Sequence, residues 1–264
     1  MIELLSYGFM QRALLAALLI GIASGLIGPY VVLRKVSLIG EGLAHLAFAG
    51  IALAFLFGSP PMITALIVVI LGSLLIRFLI EKNLYGDAAI ALILSLGVGT
   101  GIIIIGATKG FGVDIFSYLI GSILLLSWMD ILLLSILCLV IIIFLVRYRR
   151  ELFLLTFQKD IAYLSFKQTK FVDYLFSILI AFVVLMSIQA VGILLVTALL
   201  VIPSLIALRL AKSFKQTLVY GVLISTIASL SGIIISFYLD LPTSGVIVLV
   251  LIMLYALSFL HKRL

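Results

Sequence analysis

Glu41 and His45 are the residues in this chain whose types and spacing suit ligand chemistry. They stand four apart within an apolar run over 37–58, which on a helix puts both on one face with Cβ atoms about 5–6 Å apart. A carboxylate oxygen with an imidazole nitrogen suits zinc or manganese, and the lack of a thiolate argues against copper(I). Two ligands hold a divalent ion weakly, whereas a twofold homodimer would bring two such pairs together and supply four. The structural alternative is that the two side chains hydrogen-bond each other or a neighbouring helix. A carboxylate near the middle of a lipid-facing helix costs about 2.5–3.5 kcal/mol on insertion scales, so Glu41 is expected to face a partner, a cavity or an ion. Arg77, close to the end of the third apolar run, is expected to snorkel to the surface. Asp240, in the loop Tyr238-Leu-Asp240-Leu-Pro242, is a further candidate ligand whose ordinary fate is solvation.

The elements that must position these groups are set by composition. Of 264 residues, 66% are hydrophobic and 10% charged, with a mean hydropathy of +1.48. A soluble domain carries about 25% charged residues, so the chain belongs in a bilayer. A span takes about 20 apolar residues. Apolar runs of that length fall at 11–33, 37–58, 61–80, 87–107, 130–146, 171–190, 191–209, 217–237 and 244–260. The expected fold is a single all-α, polytopic transmembrane bundle over 1–264, with eight or nine spans. The stretch 115–128 is shorter and flanked by Asp114 and Asp130, which suits a re-entrant segment. No length remains for a nucleotide-hydrolysing domain. The amino-terminal run is too long for a signal core and ends in Arg34-Lys35, so it reads as a retained span.

Charge orients the bundle. With the carboxy terminus inside, the loops 34–36, 81–87, 147–170 and 209–216 and the tail 261–264 share one side and hold 14 of the 17 basic residues. The positive-inside rule makes that side cytoplasmic, and the net charge of +7 then reports topology rather than a nucleic-acid partner. The single cysteine, Cys138, excludes a disulfide within the chain and a cysteine-based metal cluster.

The cytoplasmic segment 147–170 has Leu154, Phe157, Ile161, Tyr163 and Leu164 at helical spacing, with Lys159, Asp160 and Lys167 between them. A short amphipathic helix is expected there, either lying on the membrane or docking a soluble partner. Gly97-Val-Gly99-Thr-Gly101 has no lysine and no strand before it, so helix packing accounts for it better than phosphate binding. Pro203, inside the seventh run, is expected to kink its helix.

Blocks along nearly the whole chain resemble the membrane permeases of bacterial zinc and manganese ABC importers. They are Gly25-Leu-Ile-Gly28, Val31-Val-Leu-Arg34-Lys35-Val-Ser37-Leu-Ile-Gly40-Glu41-Gly-Leu-Ala-His45, Gly50-Ile-Ala-Leu53, Asp87-Ala-Ala-Ile90, Ser117-Tyr-Leu-Ile-Gly121, Gln189-Ala-Val-Gly192-Ile-Leu-Leu-Val-Thr-Ala198, Leu200-Val-Ile-Pro203 and Ser236-Phe-Tyr-Leu-Asp240-Leu-Pro242. The resemblance implies a homodimer in the bacterial cytoplasmic membrane, docked to two cytoplasmic ATPase subunits that hold the ATP. An extracytoplasmic metal-binding protein would deliver the metal. No tightly bound cofactor is implied, and transported zinc or manganese is the cargo. The family's acidic residue and histidine on the metal path fall on Glu41 and His45. Its ATPase-coupling helix falls on 157–166, with Phe157, Lys159, Asp160, Leu164 and Phe166 as the coupling residues, which favours docking over membrane lying.

Three departures stand out. Glu41-Gly-Leu-Ala-His45 replaces the family's usual Asp-Ala-Leu-Ser-His, lengthening the carboxylate by one methylene and losing a hydroxyl. The family's Phe-Asp is Phe157-Gln158, and its Leu-Gly is Leu164-Ser165. The expected function is import of a divalent transition metal by alternating access, driven by ATP hydrolysed on other chains. The rivals are a gradient-driven carrier that works without an ATPase and an intramembrane enzyme. The enzyme is disfavoured because His261 is the only other histidine.

Overall fold

The computed structural model describes residues 7–107 and 126–260. Among them the chain is entirely helical, with α1 Gly8–Leu33, α2 Ile39–Phe57, α3 Pro61–Glu81, α4 Gly86–Ala107, α5 Trp128–Arg147, α6 Arg149–Phe157, α7 Lys159–Ser165, α8 Thr169–Val191, α9 Ile193–Leu210, α10 Phe214–Leu239 and α11 Thr243–Ser258. Seven of these (α1 to α5, α8 and α10) are long and apolar enough to cross a membrane, and the apolar parts of α9 and α11 are shorter. Each of the nine apolar runs corresponds to one helix. Most of the re-entrant candidate, 115–125, lies outside the described residues, and Trp128 opens α5.

Local chemistry sets the ends. Ser127 and Asp130 form a reciprocal capping box at the start of α5, and the Ser213 hydroxyl accepts the Gln216 amide at the start of α10. Gly192, at φ 84° and ψ 168°, is the single residue between α8 and α9; a side chain there would be strained, so this sharp reversal requires glycine. The helix α9 continues through Pro203.

Small residues fix the crossings. Gly21 of α1 lies against Thr226 of α10 and Gly25 against Val222, so the two helices run antiparallel at close range. In α4, Gly97 and Gly101 lie against His45 and Phe48 of α2, so these two run parallel. The core falls into two clusters joined by α1. One gathers α2, α3 and the middle of α8 around Leu43, Ile76 and Phe176; the other gathers the amino-terminal halves of α1, α9 and α11 around Ile20, Leu199 and Leu251. Arg34, Arg77, Asp173 and the short helices α6 and α7 share one end of the bundle, and Asp130 and Gln189 meet at the other.

Candidate metal path and its link to the short helices

The sequence places Glu41 near mid-span, but the structure sets it in the first turn of α2. There the positive end of the helix dipole favours a carboxylate. Between Ile39 and Ala52 every α2 residue is buried except Glu41, His45 and Phe48, which share one face. The helix is therefore clamped by α3, α4 and α9 on its other sides, and its one uncovered stripe carries a carboxylate and an imidazole. Neither side chain hydrogen-bonds the other or forms an ion pair with any described residue. The structural alternative for the pair is therefore absent among the described residues.

Gly97 explains how α2 is held at this point. A Cβ on Gly97 would come within 2.7 Å of the His45 carbonyl oxygen and the Leu46 amide nitrogen, whereas Gly99 faces open space. The glycine run is thus a packing device that seats the backbone of His45 against α4. Asp240 is not brought to the pair. It is the exposed, left-handed C-cap of α10 at φ 52°, and no three ligand-type side chains cluster among the described residues.

A second polar assembly went unseen in the sequence. Arg77 does not snorkel: it is 7% exposed and forms a close ion pair with Asp173 Oδ2. Arg34 Nη1 donates to the other oxygen, Oδ1, at 2.8 Å, so one carboxylate bridges two guanidinium groups from α3 and the end of α1. Glu81, 3.7 Å from Arg77, supplies a second negative charge, and Tyr174 donates to it at 2.8 Å. Asp173 and Glu81 thus oppose Arg34 and Arg77, as a buried cluster needs, and Lys159 stands beside them as a further cation.

This cluster reaches into the short helices. Arg77 Nη2 donates to the Tyr163 hydroxyl at 2.6 Å, and that hydroxyl donates to Asp173 Oδ2 at 3.3 Å. Arg34 Nε donates to the Thr156 hydroxyl at 3.2 Å, and its guanidinium stacks 4.6 Å from the Phe176 ring centre. Burial holds Arg34 below its ordinary range, opposed by the charge of Asp173. Burial, with Arg77 nearby, lowers Lys159. Burial and then the charge of Asp173 push Tyr163 up to about 12. A cavity of about 270 Å³ lies among these groups.

The predicted single amphipathic helix is two, because Gln158 leaves helical geometry at φ −145° and ψ 72°. Its inward residues are Leu152, Leu155 and Ala162, all buried. Most of the residues picked out by spacing face outward: Phe157 is 50% exposed, Ile161 47% and Leu164 88%, while Tyr163 turns to the ion cluster. Asp160 is exposed, and Lys159 and Phe166 are partly covered. Thr169 ties the end of α7 to α8 by donating to the carbonyls of Ala162 and Phe166, each at 2.8 Å. The signal for the missed cluster was faint: Asp173 sits a few residues inside an apolar run, and nothing local names its partners.

Residues 6–262 match the ABC 3 transport family. The chain is 31% identical over 258 residues to the manganese transport system membrane protein MntC of Halalkalibacterium halodurans, covering 97% of this chain and 88% of that protein. It is 30% identical to the manganese import system permease protein ScaB of Streptococcus parasanguinis, covering 96% and 90%. The solved structure of PsaBC from Streptococcus pneumoniae in complex with Fab superposes with a TM-score of 0.83 at 28% identity, covering 97% of this chain and 92% of that one. The chain belongs to the ABC 3 transport family, as a membrane permease of the zinc and manganese ABC importer group and not an enzyme.

Proposed function

We propose that residues 1–264 act as one permease domain of an importer for a divalent transition metal, manganese in the first place, working by alternating access. The observation that carries this reading is the uncovered stripe of α2, where Glu41 and His45 have no hydrogen bond or ion pair with any described residue while the helix around them, from Ile39 to Ala52, is otherwise buried except for Phe48. Two twofold-related copies of the pair complete a four-ligand site of oxygen and nitrogen, a donor set that manganese and zinc both accept. The manganese-transport names of the relatives favour manganese.

In this reading the seven long helices and the shorter α9 and α11 all cross the membrane, with α6, α7 and the carboxy terminus in the cytoplasm, as the loop charges require. Metal from an extracytoplasmic binding protein enters between the protomers. The exposed Phe157, Ile161 and Leu164 then dock an ATPase subunit, and ATP hydrolysed there drives the change of access. A ligand shifts such an equilibrium only through differential affinity, so the pair must grip metal differently in the inward and outward states. Asp173 and Tyr163 join the docking helices to α1, α3 and α8, which supports a mechanical path from ATPase to bundle.

The test is uptake of radioactive manganese by proteoliposomes holding the permease and its ATPase. His45→Ala is expected to abolish uptake while the assembly purifies intact, and unchanged uptake overturns the reading. Uptake that persists without the ATPase would favour the gradient-driven carrier instead.

A further inference from the structure

A groove of about 800 Å³ opens at the α6–α7 end of the bundle, away from the Glu41–His45 stripe. The helices α5 and α10 both pack on α1 but not closely on each other, so a gap remains between them with α1 as its floor. Its wall is apolar, with Leu26, Ile142, Val146 and Leu218 among the lining residues. Phe214, 5.6 Å from Phe153 and 5.1 Å from Tyr30 between ring centres, adds an aromatic end. The polar part of the lining is of one sign: Arg149, Arg150 and Lys215 contribute to it, and no carboxylate does. All three cations are exposed. Arg149 and Arg150 open α6, just past the end of α5, and Lys215 lies in the first turn of α10, where apolar helix meets the water boundary.

We infer that this groove binds an anionic phospholipid from the leaflet on the α6–α7 side, with an acyl chain along the apolar wall and the phosphate among Arg149, Arg150 and Lys215. An acyl chain gains little by leaving one apolar medium for another, so the chain confers fit and the headgroup confers selectivity. Basic pockets between span ends recognise anionic headgroups in this way, each cation contributing roughly fivefold. A second copy of this protein is a poorer occupant, because a twofold contact through the groove would set three cations against three. Leu154 of α6 and Phe166, the cap of α7, also line the groove. The bound lipid therefore braces the segment that carries Thr156 and Tyr163 to the ion cluster.

The assembled transporter, permease with ATPase, is purified in mixed micelles containing equal palmitoyl-oleoyl phosphatidylglycerol and phosphatidylcholine, and retained lipid is counted by native mass spectrometry. We expect at least ~10-fold enrichment of phosphatidylglycerol. The combined Arg149→Ala, Arg150→Ala, Lys215→Ala variant should lose it. Lys82→Ala, Lys167→Ala, Lys170→Ala, which removes the same charge elsewhere on that side, should retain it. Equal retention by all three proteins, or equal loss from both variants, overturns the inference. A second measurement uses the unaltered chain: phosphatidylglycerol with a photoreactive acyl chain should label residues within 142–154 and 214–218. Labelling confined to other regions overturns it, as does a photoreactive residue at Val146 that crosslinks to the ATPase or a second permease in place of lipid.

Discussion

Asp173 shows how much one residue can carry in this protein. Its carboxylate compensates Arg34 and Arg77 where water cannot, so Asp173→Asn leaves two buried guanidinium groups without their bridge. Breaking a buried pair in this way costs about 3–5 kcal/mol. The variant is expected to unfold at a clearly lower temperature in detergent, whereas the exposed Asp160→Asn should stay within about 0.5 kcal/mol of the parent. Tyr163 adds a pH signature. Its folded pKa is raised from 10.0 to about 12, so the folded state keeps a proton that the unfolded chain releases. Stability from this residue is fully present below pH 10 and is lost as pH rises from 10 towards 12. Thermal melts across that window should fall less steeply for Tyr163→Phe than for the parent, and identical slopes would rule out the assignment. Legibility at this scale was uneven. Glu41 and His45 were readable because polar residues one turn apart in an apolar run announce themselves. Asp173 was not, because its meaning lies in Arg34, 139 positions away, and local spacing says nothing about such a partner.

At the scale of elements, the contact between α2 and α4 is the part most sensitive to a single methyl group. Gly97→Ala forces a Cβ against the His45 backbone. Overpacking of this kind costs about 1–3 kcal/mol, and the shift of His45 should lower manganese uptake with it. Gly99→Ala, in open space two residues on, is expected to gain about 0.5–1 kcal/mol from helix propensity. Parallel melts and uptake assays on the two variants separate packing from composition, and similar behaviour of both would contradict the assigned roles. The short helices make a complementary case. Their amphipathic periodicity was legible, but the outward direction of Phe157, Ile161 and Leu164 was not. Leu152, Leu155 and Ala162 compete for the same bundle surface and win it. Leu164 is 88% exposed, so Leu164→Asp should leave the permease melt nearly unchanged while ATPase copurification drops sharply.

For the whole molecule, the proposed orientation rests on the placement of charge. Cysteine placed at exposed Lys170 should label with an impermeant maleimide only from the cytoplasmic side, and cysteine at exposed Asp240 only from the other; the native Cys138 is buried and supplies a quiet background. Labelling of both from one side would break the proposed topology. By itself the sequence indicated a bilayer as the solvent, the approximate position of each apolar helix, the kinship and the polar pair on α2. Apolar run length and charge placement are local quantities that a bilayer reads directly. Only the tertiary structure decided which apolar faces are core and which meet lipid or partners. Leu139 and Ile143 of α5 are exposed while Ile180 and Val184 of α8 are buried, although the residue types are alike. Lipid and protein interior are equally apolar, so hydropathy cannot separate them. The same holds for the ion cluster and the basic-rimmed groove, each of which exists only where distant helix ends converge.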